Sequence, residues 1–179
     1  QQYGLSAEQA LSVYGTLSGM ALSFILFPSV LTGALSVMLL PSVSEAQAAG
    51  EDARLSRTVR KTISFCLPLG ICFTVLFLLF GRFLGSFFFR SSLAGDFIIT
   101  LAWICPFLYL NHTLHSILNG LGRTGTGFFN NLIGILIRIL FVLGCVPRFG
   151  IQGYLWGLLT GQLIVCGMNL EALKEYLHN

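Results

Sequence analysis

Charged residues are scarce in this sequence. Asp, Glu, Lys and Arg together make up only 9% of the 179 residues, whereas a soluble globular domain carries about a quarter. A chain with so few charges cannot cover a surface that faces water. The scarcity therefore excludes a soluble domain. It also excludes a nucleic-acid-binding protein, because such a protein needs a charged surface in water.

Motifs for catalysis and for metal binding are also missing. There is no CxxC pair or His–Cys cluster, and the five cysteines all fall in apolar stretches, where they suit small core residues rather than disulfides. No HExxH motif, Ser-His-Asp arrangement or pair of carboxylates occurs within those stretches. The glycine-rich run at 120–125 lacks the Lys-Ser/Thr ending and the preceding strand of a phosphate-binding loop. We therefore expect neither an enzyme nor a cofactor or metal site.

Long apolar stretches dominate the sequence instead. Hydrophobic residues make up 55% of the chain, and its mean hydropathy is +0.82. Each stretch is long enough for the roughly 20 residues that cross a bilayer core, and unbroken apolar runs select helices over barrel strands. The predicted fold is an all-α integral membrane protein with five transmembrane helices, at about residues 9–40, 62–81, 97–119, 126–146 and 151–169.

The first predicted span is longer than a bilayer requires. As one helix it would extend about 50 Å at 1.5 Å per residue, against a hydrocarbon core of about 30 Å. We expect a single long helix that is kinked near Pro28, because proline removes a backbone hydrogen bond.

Residues 41–61 form the most polar part of the chain and are predicted to be an amphipathic segment at the cytoplasmic face. Its basic residues, expected to contact anionic lipid headgroups, are Arg54, Arg57, Arg60 and Lys61. Short loops rich in Lys and Arg stay inside the cell, so this cluster also sets the orientation, with the N-terminus outside and the C-terminus inside. The predicted location is the cell membrane, as a multi-pass protein of the bacterial cytoplasmic membrane.

A single charge lies near the middle of the fourth predicted span. An unpaired Arg138 there would cost about 2.5–3.5 kcal/mol on insertion scales. On a helix it shares a face with Gly127, Asn131, Gly134 and Cys145, and a small and polar stripe of this kind should face a bundle interior or an aqueous cavity. Two interpretations have equal support. Arg138 is either an anion-facing residue of a transport cavity, which suits phosphate, or a structural arginine bonded to backbone carbonyls.

The third predicted span carries polar residues in its second half. Asn111, His115 and Asn119 follow one another at intervals of four and therefore share one helix face. In a transporter the histidine would serve as a proton-linked switch. The favoured interpretation is hydrogen bonding between helices, which such side chains commonly provide.

Glycines recur every four residues in the fifth predicted span, at Gly153, Gly157 and Gly161. A row of small residues on one face lets the backbone of a neighbouring helix approach closely. This pattern predicts a helix-packing face.

Several short motifs follow one another in a recognisable order. They are the Phe-Pro pair at 27–28, Leu-Leu-Pro-Ser-Val-Ser-Glu at 39–45, an Ala- and Gly-rich acidic turn to Gly50, the basic helix at 54–61, Leu-Asn-Gly-Leu-Gly-Arg at 118–123, Asn-Asn-Leu-Ile-Gly at 130–134 and Gly-Ile-Gln-Gly at 150–153. In this order and spacing they resemble the C-terminal half of a flippase of the MATE-like (MOP) superfamily. The resemblance is closest to its branch of stage V sporulation protein B and polysaccharide exporters.

The resemblance implies two pseudo-symmetric six-helix lobes around a central cavity, with alternating access carrying a substrate across the membrane. This chain would supply five helices of the second lobe, and its partners would be membrane lipids and an N-terminal lobe of the same polypeptide. The implied substrate is a lipid-linked oligosaccharide or another cell-wall or polysaccharide precursor, whose pyrophosphate a cavity cation would meet. The candidates for lining that cavity are Arg138, Asn131, Asn130, Asn111, His115 and Asn119.

One departure from the family pattern leaves the substrate open. Lipid II flippases of this superfamily tend to carry a cavity-facing arginine on the counterpart of the first helix here, whereas residues 9–44 contain no basic residue. Two alternatives to a glycan flippase remain. One is a cation-coupled exporter of small molecules or drugs with the same fold, which would need an acidic residue in the other lobe. The other is a non-transporting membrane scaffold of cell-wall or spore synthesis.

Overall fold

The computed structural model describes residues 7–178, and every regular element in this part of the chain is helical. In chain order the elements are α1 (Ala7–Gly15), a π-helical segment (Thr16–Ala21), α2 (Leu22–Leu26), α3 (Ser29–Ala48), α4 (Asp52–Phe89), α5 (Ser92–Ala102), α6 (Cys105–Gly120), α7 (Thr124–Gly144), α8 (Val146–Phe149) and α9 (Ile151–His178). This architecture confirms the all-helical class.

Three helices in the described part of the chain, α3, α4 and α7, are long and apolar enough to cross a membrane. A fourth crossing is present if α5 and α6 count as one span, although the two are bent by 58° relative to each other. Residues 7–178 therefore contain three or four candidate spans. The predicted total of five, and the assignment to one lobe, stay predictions.

The first predicted helix is interrupted. A π-helical segment follows α1, α2 ends at Leu26, and α3 begins at Ser29, so that Pro28 lies in the break. Proline has no amide hydrogen with which to continue the helical ladder. The hydroxyl of Tyr109, from α6, donates a hydrogen bond of 2.9 Å to the carbonyl of Ile25 just before the break. The predicted kink site is thus joined to the centre of the bundle.

Residues 41–61 are divided between α3 and α4 at the turn around Gly50. The helix α3 continues through Pro41 to Ala48, and its last turns are tied to α6 by two hydrogen bonds. The hydroxyl of Ser44 donates to the carbonyl of Gly120 at 2.8 Å, and the amide of Gln47 donates to the carbonyl of Leu121 at 3.2 Å. These tertiary contacts keep the chain helical beyond a residue that removes a backbone bond.

The basic residues of the predicted segment belong to the first turns of α4. A turn at Gly50, whose φ of 66° suits glycine, separates α3 from α4. The helix α4 then runs without interruption for 38 residues, or about 57 Å at 1.5 Å per residue. Since the hydrocarbon core is about 30 Å thick, one end of α4 must extend beyond it. The first turns of α4 carry the basic residues and are its polar end. This is therefore the end that extends beyond the hydrocarbon core.

The helix α6 is the centre of the bundle. It packs against α3 and α4 on one side and against α7 and α9 on the other, while α5 packs along α4. Glycines allow the helix backbones to come into close contact at two of these interfaces, between α4 and α5 and between α4 and α6. A Cβ atom on Gly85 would lie 2.3 Å from the amide nitrogen of Gly95, and one on Gly70 would lie 2.4 Å from the Cα of Pro106. Side chains larger than hydrogen do not fit at either contact.

Gly85→Ala is expected to lower the stability of the complete protein by about 1–3 kcal/mol, because the added methyl group overpacks the contact between α4 and α5. The measurement is thermal unfolding in detergent. Gly33→Ala is the matched control, since Gly33 also lies inside a long helix but an added Cβ would meet nothing within 4 Å. That control should be neutral or slightly stabilising, because alanine favours helix over glycine. Equal losses for both variants would contradict the close packing of α4 and α5.

Candidate functional site

A chain of amide side chains joins α6, α7 and α9 inside the bundle. The amide of Asn130 donates to Oδ1 of Asn169 at 2.8 Å, and the amide of Asn169 donates to Oδ1 of Asn111 at 3.4 Å. Asn111 in turn donates to the backbone carbonyl of Gln162 at 3.0 Å and to its Oε1 at 2.8 Å. Asn111, Asn130 and Asn169 are all buried. The four residues together are called the amide network here.

The amide network depends on close contact between α7 and α9. A Cβ on Gly134 would lie 2.4 Å from a side-chain carbon of Val165, and one on Gly157 would lie 2.7 Å from Cβ of Phe141. A Cβ on Gly153 would lie 2.8 Å from the backbone of Cys145. The glycine repeat of α9 is therefore a packing face, as the sequence predicts. These contacts hold α7 and α9 side by side. Asn169 of α9 is thereby placed within hydrogen-bonding distance of Asn130 of α7.

Arg138 lies in the middle of α7 between the Gly134 and Phe141 contacts, and it is half-buried. Its Nε atom is enclosed and makes no hydrogen bond to any residue in the range 7–178. A buried guanidinium nitrogen without an acceptor costs more than about 1–3 kcal/mol. The helix carries no acid to offset this cost, so the Nε of Arg138 has no partner among residues 7–178.

Asn131 lies seven residues before Arg138 and hence on nearly the same face of α7. Unlike its neighbour Asn130, it is exposed. The predicted stripe is therefore split into two parts. The glycines, Gly127 and Gly134, pack against α6 and α9, whereas Asn131 is exposed and Arg138 is half-buried.

The polar residues of α6 lie in different environments. Asn111 belongs to the amide network, and the ring of His115 is packed against Gly127 of α7, where an added Cβ would lie 2.9 Å from the ring carbon Cε1. The Oδ1 atom of Asn119 is buried and accepts no hydrogen bond from residues 7–178. The structure thus joins Asn111 to Asn130 through Asn169, but it does not join either of them to Arg138.

Two members of the amide network, Gln162 and Asn169, were not among the predicted candidates. A signal for them exists in the sequence, since they are seven residues apart in a mostly apolar stretch and so share a face. The prediction for α9 rested on its glycines alone. Polar residues at this spacing in a membrane helix are a second indication of contacts between helices.

The basic residues of α4 form a separate surface. Arg54, Arg57, Arg60 and Lys61 are all exposed, and Nη1 of Arg54 lies 3.2 Å from a carboxylate oxygen of Glu51. Within residues 7–178 no group of His, Cys, Asp and Glu side chains is arranged to hold a metal ion.

Asn130→Leu is expected to lower the stability of the complete protein by about 1–2 kcal/mol, the usual size of a hydrogen bond between membrane helices in peptides. Thermal unfolding in detergent measures the change. The adjacent Asn131→Leu is the matched control, because Asn131 is exposed and lies outside the amide network. The network has no stabilising role if the two variants unfold at the same temperature.

Comparisons with known proteins agree with the motif order. The MatE family matches residues 3–143. Stage V sporulation protein B of Bacillus subtilis (strain 168) is 28% identical over 176 residues, which cover 97% of this chain and 34% of that protein. Sporulation protein YkvU of the same organism is 26% identical over 180 residues, which cover 97% of this chain and 40% of YkvU. No solved structure matches significantly.

The chain spans only about a third to two-fifths of the length of these curated relatives. The family match nevertheless extends over most of the chain and includes every helix from α1 to α7. With its apolar helices and its order of motifs, this chain belongs to the MatE family.

Proposed function

We propose that this chain is part of one lobe of a flippase in the bacterial cytoplasmic membrane. The flippase moves a lipid-linked oligosaccharide, or another cell-wall or polysaccharide precursor, across that membrane by alternating access. Membership of the MatE family supports transport. The names of the two relatives connect both of them with sporulation, a process for which cell-wall material is needed on the far side of a membrane.

The observation that carries the proposal is the unpaired Nε of Arg138. Ionisable residues inside membrane helices mark substrate and ion pathways. Arginine is also the residue best suited to phosphate, because its planar guanidinium donates in a fork that matches two phosphate oxygens. A lipid-linked glycan carries its phosphates at the junction of lipid and sugar. In the proposed mechanism Arg138 meets this anionic group as it passes the middle of the membrane.

The amide network has a positioning role in this mechanism. It fixes α7 to α9 and α6 on one side, through Asn130 and its partners. Asn131, the next residue of the same helix, is exposed, and Arg138 follows it two turns later on nearly the same face. Side chains held on a rigid element bind more tightly than mobile ones, because less conformational freedom is lost on binding. The proposed cavity therefore lies on the Asn131–Arg138 face of α7, toward a second lobe.

The distribution of basic residues supports an orientation. Arg54, Arg57, Arg60, Lys61, Arg123 and Lys174 lie in the predicted inner segments, whereas Arg82, Arg90 and Arg148 lie in the predicted outer ones. The packing agrees with this grouping. The guanidinium of Arg123 lies 5.3 Å from the ring centre of Tyr176, which places these two segments at the same end of the bundle. We assign that end to the cytoplasm.

Arg138→Ala in the complete protein is expected to reduce translocation about 10-fold or more, which corresponds to the loss of one charge-assisted contact of about 1.5–3 kcal/mol. The measurement is the transfer of a fluorescent lipid-linked precursor between leaflets of reconstituted vesicles. Arg138→Lys should retain part of the activity, because a cation remains but the fork of donors is lost.

Arg148→Ala is the control, since Arg148 is exposed in the short helix α8, and it should translocate at the unmodified rate. If the Arg138→Ala protein is expressed normally and translocates at the normal rate, the role proposed for Arg138 is wrong. If the unmodified protein transfers no lipid-linked precursor, the proposed function itself is wrong.

A further inference from the structure

An open groove of about 730 Å³ lies between α5, α6 and α9. Its volume falls within the range of about 300–1,000 Å³ that is usual for sites of small molecules. The groove follows from the bend of 58° between α5 and α6. The Gly85–Gly95 contact holds α5 against α4, while α9 follows α6, so that α5 and α9 are left apart.

The walls of the groove are apolar along most of its length. They are formed chiefly by Trp103, Phe107, Leu155, Trp156, Leu159 and Leu163. The two tryptophans are 58% and 62% exposed, which leaves both side chains accessible to an occupant. An apolar wall in a membrane bundle suits a hydrocarbon chain.

The charged and amide residues that line the groove lie at one end. Asp96 lies in the first half of α5, and Gln152 lies at the start of α9. Because both helices start at the same end of the bundle, these two side chains share that end, and Thr100 lies about one turn further along α5. From Gln152 to Leu163 the groove extends about 17 Å at 1.5 Å per residue. That length matches one leaflet, which is half of a hydrocarbon core about 30 Å thick.

Two opposite charges lie at the polar end. The Nε of Arg82 is 3.1 Å from Oδ1 of Asp96, and the two side chains are 81% and 56% exposed. Since both remain open to water, each is free to exchange part of this contact for a ligand of the opposite charge. A cation beside an anion is complementary to a headgroup that carries a phosphate beside an ammonium group.

We propose that the groove binds one acyl chain of an aminophospholipid such as phosphatidylethanolamine. The acyl chain lies along α9 between the two tryptophans, the phosphate meets Arg82, and the ammonium group meets Asp96. The site is separate from Arg138, so it does not depend on the substrate proposed above.

Photo-crosslinking of the complete protein tests this proposal. The protein is reconstituted in vesicles of equal parts phosphatidylethanolamine and phosphatidylglycerol, with a trace of either lipid carrying a photoactivatable acyl end. The phosphatidylethanolamine probe should crosslink to residues 155–163 of α9 and to Trp103, and it should do so several-fold more than the phosphatidylglycerol probe. Equal crosslinking by the two probes would overturn the headgroup assignment, and no crosslinks in these residues would overturn the site.

Two variants and one control sharpen the test. Arg82→Gln should lower crosslinking of the phosphatidylethanolamine probe roughly two- to fivefold, the range that one exposed ion pair supplies. Leu163→Trp should reduce it further by filling the groove. Leu140→Trp adds the same bulk on the exposed surface of α7, where Leu140 is 68% exposed, and should leave it unchanged. Crosslinking that responds equally to both tryptophan substitutions would show general contact with lipid and would contradict a built site.

Discussion

The close approach of helix backbones at glycine is the constraint on which the rest of this structure depends. In lipid, apolar side chains gain little by leaving one hydrocarbon surface for another, so helices associate through tight packing and hydrogen bonds. Gly85, Gly70 and Gly134 each stand where a methyl group would overlap a neighbouring helix. The positions of α5, α6 and α9 follow from these contacts, and so does the groove that opens where α5 leans toward α4.

Some polar side chains find their hydrogen-bond partners inside the bundle, and others do not. The amide network and the hydroxyl of Tyr109 find their partners within the described helices. Arg138 does not, although an unpaired donor at this depth is costly. Two polar residues of one helix, Asn130 and Arg138, thus differ. The first is bonded to Asn169 of α9, and the second is the residue that we propose meets a ligand.

Most of the helices follow from patterns that are local in sequence. The apolar runs predicted the core of α4 and nearly the full length of α7, and the glycines of α9 predicted its packing face. A proline marks the break before α3, where a kink was predicted. A second proline, Pro106, lies at the first turn of α6, a position that proline favours at the start of a helix. Pro106 thus indicates that a helix begins near Trp103, whereas residues 97–119 were predicted to form one unbroken span.

Features that depend on contacts distant in sequence could not be predicted in this way. The continuation of α3 through Pro41 relies on carbonyls of Gly120 and Leu121, which lie more than 70 residues further along the chain. The partners of Asn111 are likewise set by the register between α6 and α9. For Arg138, the sequence left a structural role and an anion-facing role equally open. Among residues 7–178 no backbone carbonyl accepts a hydrogen bond from its Nε, and the anion-facing role stays a proposal.

The most direct measurement of the central claim is the access of water-soluble reagents to position 138. In the complete protein with its native cysteines replaced, Arg138→Cys and Leu140→Cys are each exposed to a charged thiol reagent in membrane vesicles. The account predicts that the variant at position 138 is labelled, that the variant at position 140 is not, and that a lipid-linked precursor slows the labelling at 138. If position 138 is as inaccessible as position 140, it faces lipid or protein rather than a cavity, and the account is contradicted.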